Sequence, residues 1–146
     1  MISITRKFEF DSAHRVLGHT GKCRHLHGHR YVAEVTLHSV GLDELGMVVD
    51  FSVVKDLIGT WIDANWDHNI LLHEKDPLAC IWAGSPNKEI FMGRSPYIFY
   101  DENPTAENIA KALFHQASKL LANQIPLTVG RVRIWETPNC YADYSF

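Results

Sequence analysis

Two stretches near the start of the chain alternate apolar and polar residues with a period of two. Ile2, Ile4, Phe8 and Phe10 share one side of ISITRKFEF, residues 2–10, and Tyr31, Ala33, Val35 and Leu37 share one side of HRYVAEVTLHSV, residues 29–40. Successive strand side chains point to opposite faces, so each stretch predicts a β-strand with one buried face. LTVGRVRIWE (127–136) and CYADYSF (140–146) read as two closing strands. Between these pairs the period changes to three and four. Phe51, Val54, Leu57, Ile58, Trp61 and Ile62 form the apolar stripe of a helix over 51–65, with Asp50 as N-cap. Ile109, Leu113, Ala117, Leu120 and Leu121 form a second stripe, with Thr105 as N-cap and Glu107 suited to the dipole of the first turn. Strands at both ends with helices between predict an α+β domain: an antiparallel sheet with helices on one face. The segment between the helices carries Pro77, Pro86 and Pro96 and shows no period. A short helix near residues 77–82 is its one hint of regular structure.

A chain of 146 residues suits a single domain, 1–146, with its own core. A formal charge of −3 and no basic stripe argue against a general nucleic-acid or membrane-surface binder. No apolar run reaches the roughly 20 residues needed to span a bilayer. The first ten residues alternate and carry charge, unlike an export signal. The three cysteines, Cys23, Cys80 and Cys140, are too few and odd in number for a disulfide framework, so a reducing cytoplasm is expected. Cys80 and Cys140 read as free buried thiols.

Cys23 differs because it opens CRHLHGH, residues 23–29, with three histidines at every second position. In an extended chain His25, His27 and His29 point one way, but the outer two lie about 13 Å apart at roughly 3.3 Å per residue. Zinc–nitrogen bonds are about 2.0–2.1 Å, so only two neighbours can share an ion. A third ligand has to come from an adjacent strand. His14, in FDSAHRV, faces His27 and His29 if the first two strands pair, and Gly28 lets them approach closely. Three imidazoles with a fourth position open is the donor set of a catalytic zinc. The competing reading is a wet, histidine-rich loop. His19, His25, His38, His73 and His115 are left as ordinary, with His25 the best placed of them to meet a ligand.

FDSAH, CRHLHGH, GMVVDF, WDHNILL, PTAEN and WET occur here in the order found in the 6-pyruvoyl-tetrahydropterin synthase family. The chain particularly resembles its bacterial branch, the 6-carboxytetrahydropterin synthases of queuosine biosynthesis. The resemblance covers residues 10 to about 137. It implies a tunnelling fold: a four-stranded antiparallel sheet with two helices on one face, joined between subunits into a β-barrel, commonly a homohexamer made as a dimer of trimers. Active sites then lie where subunits meet. Carried over by position, His14, His27 and His29 resemble the zinc ligands and Cys23 the catalytic thiol. Asp67 and His68 resemble its proton-handling partners. Glu136 resembles the carboxylate that clamps the pterin ring, and Thr105 lies where a pterin contact is expected.

The implied reaction is zinc-dependent conversion of 7,8-dihydroneopterin triphosphate to 6-carboxy-5,6,7,8-tetrahydropterin, acetaldehyde and triphosphate. One alternative stops at triphosphate elimination with the 6-pyruvoyl product. Others are a zinc hydrolase or a non-catalytic, zinc-stabilised pterin-binding oligomer. Taken alone, Asp67-His68 also reads as a helix C-terminus, Glu136 as a strand-end carboxylate and Thr105 as an N-cap. Arg15, Lys22, Arg24 and Arg30 are cations near the motif with no assigned role. Two features depart from the family pattern: a longer segment at about 73–102, and Trp66 in place of a smaller aliphatic before Asp67.

Overall fold

The computed structural model describes residues 1–84, 94–124 and 127–146. Pro86 and the middle of the 73–102 segment lie outside the described residues. Strands β1 (Ile2–His14) and β2 (His27–Ser39) pair antiparallel along their whole length, from Ile2 opposite Ser39 to His14 opposite His27. β5 (Leu127–Thr137) pairs antiparallel with β2, and β6 (Cys140–Ser145) with β5. These are the four antiparallel strands that the alternation predicts.

The sheet is nevertheless mixed and six-stranded, in the order β4-β3-β1-β2-β5-β6, which corrects the four-stranded expectation. β3 (Asn69–His73) runs parallel to β1, and β4 (Tyr97–Phe99) parallel to β3. Neither strand carries a periodic sequence signal, for a physical reason. Leu71 and Leu72 are adjacent and both fully buried, so β3 is covered on both faces and shows no alternation. β4 is only three residues long.

Phe51–Val54 (α1), a π-helical turn at Lys55–Gly59 and Thr60–Asn65 (α2) follow one another as the expected helical stretch, and the Asp50 carboxylate accepts from the Ser52 N–H as its cap. Val54, Ile58 and Ile62 are buried, whereas Phe51 stands in solvent. Gly59 sits in the π turn because a methyl there would lie 3.3 Å from the Phe8 ring. Pro77–Gly84 (α3) is the short helix in the central segment, so three helical stretches, rather than two, accompany the sheet. In α4 (Ala106–Leu120) the Thr105 hydroxyl caps the Asn108 N–H, and Ile109, Ala110, Leu113, Phe114 and Ala117 are buried.

The core lies on one side of the sheet, where Phe8, Phe10, Tyr31, Ala33, Val35, Leu37, Val132 and Ile134 meet the helices. Trp66 is fully buried there, with ring centroids 5.6 Å from Phe10, 4.9 Å from Trp61 and 5.8 Å from Tyr97. A large aromatic before Asp67 is thus accounted for by packing beneath β3 and β4. The opposite side carries charge, with Arg30 between Glu9 and Asp11, and Arg133 paired to Asp143. No helix among the described residues is long and apolar enough to cross a membrane.

Candidate metal centre and active site

The even-numbered residues of β1 and the odd-numbered residues of β2 make one face. Followed along the strands, that face runs from the apolar core straight into His14, His27 and His29. The β1–β2 register puts His14 opposite His27 and Ser12 opposite His29. One nitrogen from each ring falls within 4.8 Å of the other two. Gly28 permits this closeness, since a Cβ there would lie 3.3 Å from the Ser12 carbonyl oxygen.

The hydrogen bonds define which nitrogens are available. His14 Nδ1 lies 2.7 Å from the Pro104 carbonyl and His27 Nδ1 lies 2.6 Å from the His25 carbonyl. A carbonyl only accepts, so both Nδ1 atoms carry protons and both Nε2 atoms of the neutral rings present lone pairs. Those Nε2 atoms are 3.1 Å apart. His29 Nε2 is buried and makes no hydrogen bond among the described residues. Glu136 Oε1 approaches it only to 3.5 Å. Backbone carbonyls that fix the tautomer of imidazoles facing one another are the usual outer shell of a metal site. Burial, opposed by the Pro104 carbonyl and the Glu136 charge, holds His14 below the ordinary imidazole pKa. Burial likewise lowers His29. Neutral imidazoles are the form that binds metal, so the donor set fits a divalent ion of zinc type.

Cys23 lies in a short 3₁₀ turn, Lys22–Arg24, between β1 and β2. Its carbonyl accepts from the Val16 N–H at 2.8 Å. Asn103 clips the same loop to the start of α4, accepting from the Leu17 N–H at 2.8 Å and donating to the Leu17 carbonyl at 3.0 Å. The result is a cleft of about 290 Å³ whose walls include His14, Cys23, Thr105 and Glu136. Four residues predicted from separate parts of the sequence are therefore brought together. His19, Glu107, Cys140 and Tyr141 also line it, and none was singled out from the sequence as a pocket residue. His19 sits in an aperiodic loop, and residues 140–141 begin the edge strand after a tight turn; neither setting leaves a sequence signal. Cys80 and Cys140 are exposed, not buried, because each lies on a peripheral element. His25 contributes its carbonyl to the centre, while its ring turns toward Arg24.

Asp67 and His68 are not among the residues lining that cleft. They sit on the far flank of β1, just beyond α2. Asp67 Oδ1 accepts from the Asp11 N–H at 2.9 Å, and its Oδ2 lies 2.8 Å from His68 Nδ1. Burial works against ionisation of Asp67, but the Asp11 N–H, the His68 ring and the Arg94 charge outweigh it and hold the carboxyl below the usual range. His68 adopts φ of +54° and its side chain is 75% exposed, with Nε2 directed away from Asp67. Of the uncommitted cations, Arg15 is engaged by Asp76 at 2.6 and 2.7 Å, and Arg30 by Glu9 and Asp11.

The family model of 6-pyruvoyl tetrahydropterin synthase matches residues 3–145. The chain belongs to this family. A 6-carboxy-5,6,7,8-tetrahydropterin synthase of Rickettsia bellii is 43% identical over 143 residues, covering 98% of this chain and 99% of that protein. Among solved structures, an uncharacterised protein of Wolinella succinogenes matches with TM-score 0.83 at 24% identity, covering 99% of this chain and 97% of that one. The Caenorhabditis elegans 6-pyruvoyl tetrahydropterin synthase matches with TM-score 0.69 at 22% identity, covering 99% and 95%. The mixed sheet and its helices are thus the fold of 6-pyruvoyl tetrahydropterin synthases.

Proposed function

We propose that the chain is a 6-carboxy-5,6,7,8-tetrahydropterin synthase, a lyase acting on 7,8-dihydroneopterin triphosphate in queuosine biosynthesis. The observation that carries the reading is the convergence of the His14, His27 and His29 rings beside a cleft whose walls include His14, Cys23 and Glu136. The full-length likeness to a relative bearing that name supports the choice of product. Zn²⁺ is the proposed ion, held by His14, His27 and His29. When bound it supplies Lewis-acid stabilisation of the negative charge that develops on the substrate side chain.

The chain's own groups do the rest. Glu136 accepts hydrogen bonds from the exocyclic amine and ring N–H of the pterin, orienting the side chain toward the histidines. Thr105 adds a pterin contact beside its capping role. Cys23, as thiolate, removes a carbon-bound proton. His68, held by Asp67, moves a second proton through Nε2. Triphosphate then departs with its bridging oxygen, and one water adds to the side-chain carbonyl next to the ring, so that carbon–carbon cleavage leaves the 6-carboxylate and the two-carbon fragment, on taking up a proton, departs as acetaldehyde.

Because Asp67 and His68 flank β1 rather than the cleft, they serve the site of a neighbouring subunit, in a homohexamer of two trimers. β4 and β6, the edge strands among the described residues, provide backbone groups for such pairing. Two experiments test these claims. Incubation of the zinc-loaded protein with 7,8-dihydroneopterin triphosphate should yield the 6-carboxy product and acetaldehyde by mass analysis. Accumulation of the 6-pyruvoyl product would favour the alternative reaction, and no turnover would reject both. Separately, Cys23→Ala and His68→Ala, each inactive, should recover part of the activity when co-refolded. No recovery in verified mixed oligomers rejects sharing between subunits.

A further inference from the structure

Past the end of α2, one cation from the segment between α2 and α4 gathers three backbone carbonyls. Arg94 donates from one terminal nitrogen to the Asp67 carbonyl at 2.6 Å. From the other it donates to the Asp63 carbonyl at 3.0 Å and the Ala64 carbonyl at 2.8 Å. The last carbonyls of a helix have no partners within it, and a guanidinium with a fixed fork of donors is suited to collect several at once. The Trp66 and Asp67 N–H groups both return to the Ile62 carbonyl, at 2.8 and 3.0 Å, so the chain is wound tightly here.

The next residue is His68, in the left-handed region at φ +54°. A non-glycine residue holds that conformation at an energetic cost, and only where the surroundings over-determine it. Two groups do so. The His68 N–H donates to the Asp11 carbonyl at 2.7 Å from the β1 side, and Arg94 ties down the Asp67 carbonyl, the other half of the same peptide unit. That peptide also decides where the Asp67 carboxylate stands between the Asp11 N–H and His68 Nδ1. A carboxylate accepting from Nδ1 leaves Nε2 of the neutral ring as the proton acceptor, facing solvent. The charged groups around the pair are Asp67 itself, Arg94, and Asp11, whose carboxylate is taken by Arg30.

We propose that Arg94 is a positioning residue for the Asp67–His68 pair, fixing the peptide that joins them and so the ring tautomer and direction of His68. The inference deepens the proposed function and rests on His68 moving a proton there. It also extends that function to Arg94, which thereby acts as a brace for the pair.

Arg94→Ala and the charge-conserving Arg94→Lys test it in the full-length, zinc-loaded protein. Lysine keeps the charge but places all its donors on one nitrogen, whereas Arg94 serves the Asp67 carbonyl from one nitrogen and the Asp63 and Ala64 carbonyls from another, so both variants should lose function. Expected is a fall in kcat of roughly 10- to 100-fold, with KM and zinc content unchanged, and partial recovery on adding guanidinium at low concentration. Long-range ¹⁵N–¹H correlation of the imidazole should show the Nδ1–H tautomer in the parent and a mixture in both variants. This second readout is independent of any substrate. If no pterin is turned over but the tautomer still shifts, the functional reading fails and the positioning role stands. If the tautomer and kcat of Arg94→Lys and Arg94→Ala match the parent, the positioning role is wrong. Should Arg94→Ala fail to fold, Arg94→Lys alone decides.

Discussion

Replacing Gly28 by alanine isolates the geometry of the histidine centre from the stability of the sheet around it. Gly28 lies between His27 and His29 on β2, opposite Ala13 on β1. Its added Cβ would sit 3.3 Å from the Ser12 carbonyl oxygen and 4.0 Å from that carbonyl carbon, whereas ordinary contacts begin at 3.4 Å. The obstacle is backbone, so relief requires β2 to move away from β1 by a few tenths of an ångström. Metal–ligand distances tolerate about 0.2 Å. The shift falls on His27 and His29 relative to His14, and zinc affinity should drop by about 10- to 100-fold, or roughly 1.4–2.7 kcal/mol. The sheet itself should lose little. Exchanging glycine for alanine in a strand recovers about 0.5–1 kcal/mol, against a contact only slightly too short. Competition with a chromophoric chelator measures the affinity, and thermal melting in excess chelator measures the metal-free fold. Unchanged zinc affinity with an unchanged melt would refute the claim that strand spacing at Gly28 sets the centre. A collapse of the metal-free fold would show that the strands cannot move apart independently of the core.

Three further outcomes follow from buried groups. The Tyr31 hydroxyl is wholly buried with no hydrogen-bond partner among the described residues, so Tyr31→Phe should stabilise the metal-free protein by about 1 kcal/mol in urea unfolding; destabilisation would mean the hydroxyl is satisfied. Asp76→Ala removes a fully buried carboxylate that grips Arg15 at 2.6 and 2.7 Å and caps the Leu78 N–H. With Arg15 a quarter exposed, the loss should be about 2–3 kcal/mol, and a change under about 0.5 kcal/mol in chemical denaturation would contradict the pairing. Because burial lowers His14 and His29 in the folded chain, the unfolded chain binds more protons in the acid range. Their contribution to metal-free stability is complete above about pH 6.5 and is lost as pH falls through the lower folded values. The melting temperature should therefore fall between pH 7.5 and 5, less so in His14→Gln; identical pH slopes would count against burial as the cause.

The sequence displays the fold wherever burial is one-sided. β1, β2 and β5 alternate because one face meets the helices and the other carries polar side chains such as Glu9, Glu34 and Arg133, and Asp50 and Thr105 announce helix starts because their side chains cap free N–H groups. β3 was invisible for the opposite reason: Leu71 and Leu72 are covered on both sides, so no period survives. At the site, His14, His27 and His29 were legible because strand pairing is a rule with a two-residue repeat. His19 and Tyr141 reach the same cleft through loop paths that carry no repeat. Arg94 could not be read either, since its partners are backbone carbonyls, which leave no trace in residue identity.

The three imidazoles continue the rows of Phe10 and Tyr31, both of which belong to the apolar core. The scaffold that spaces them is therefore held by hydrophobic packing and not by an ion. An ion at such a centre would not have to be present for the strands to pair, and its identity would depend on availability as much as on the donors themselves.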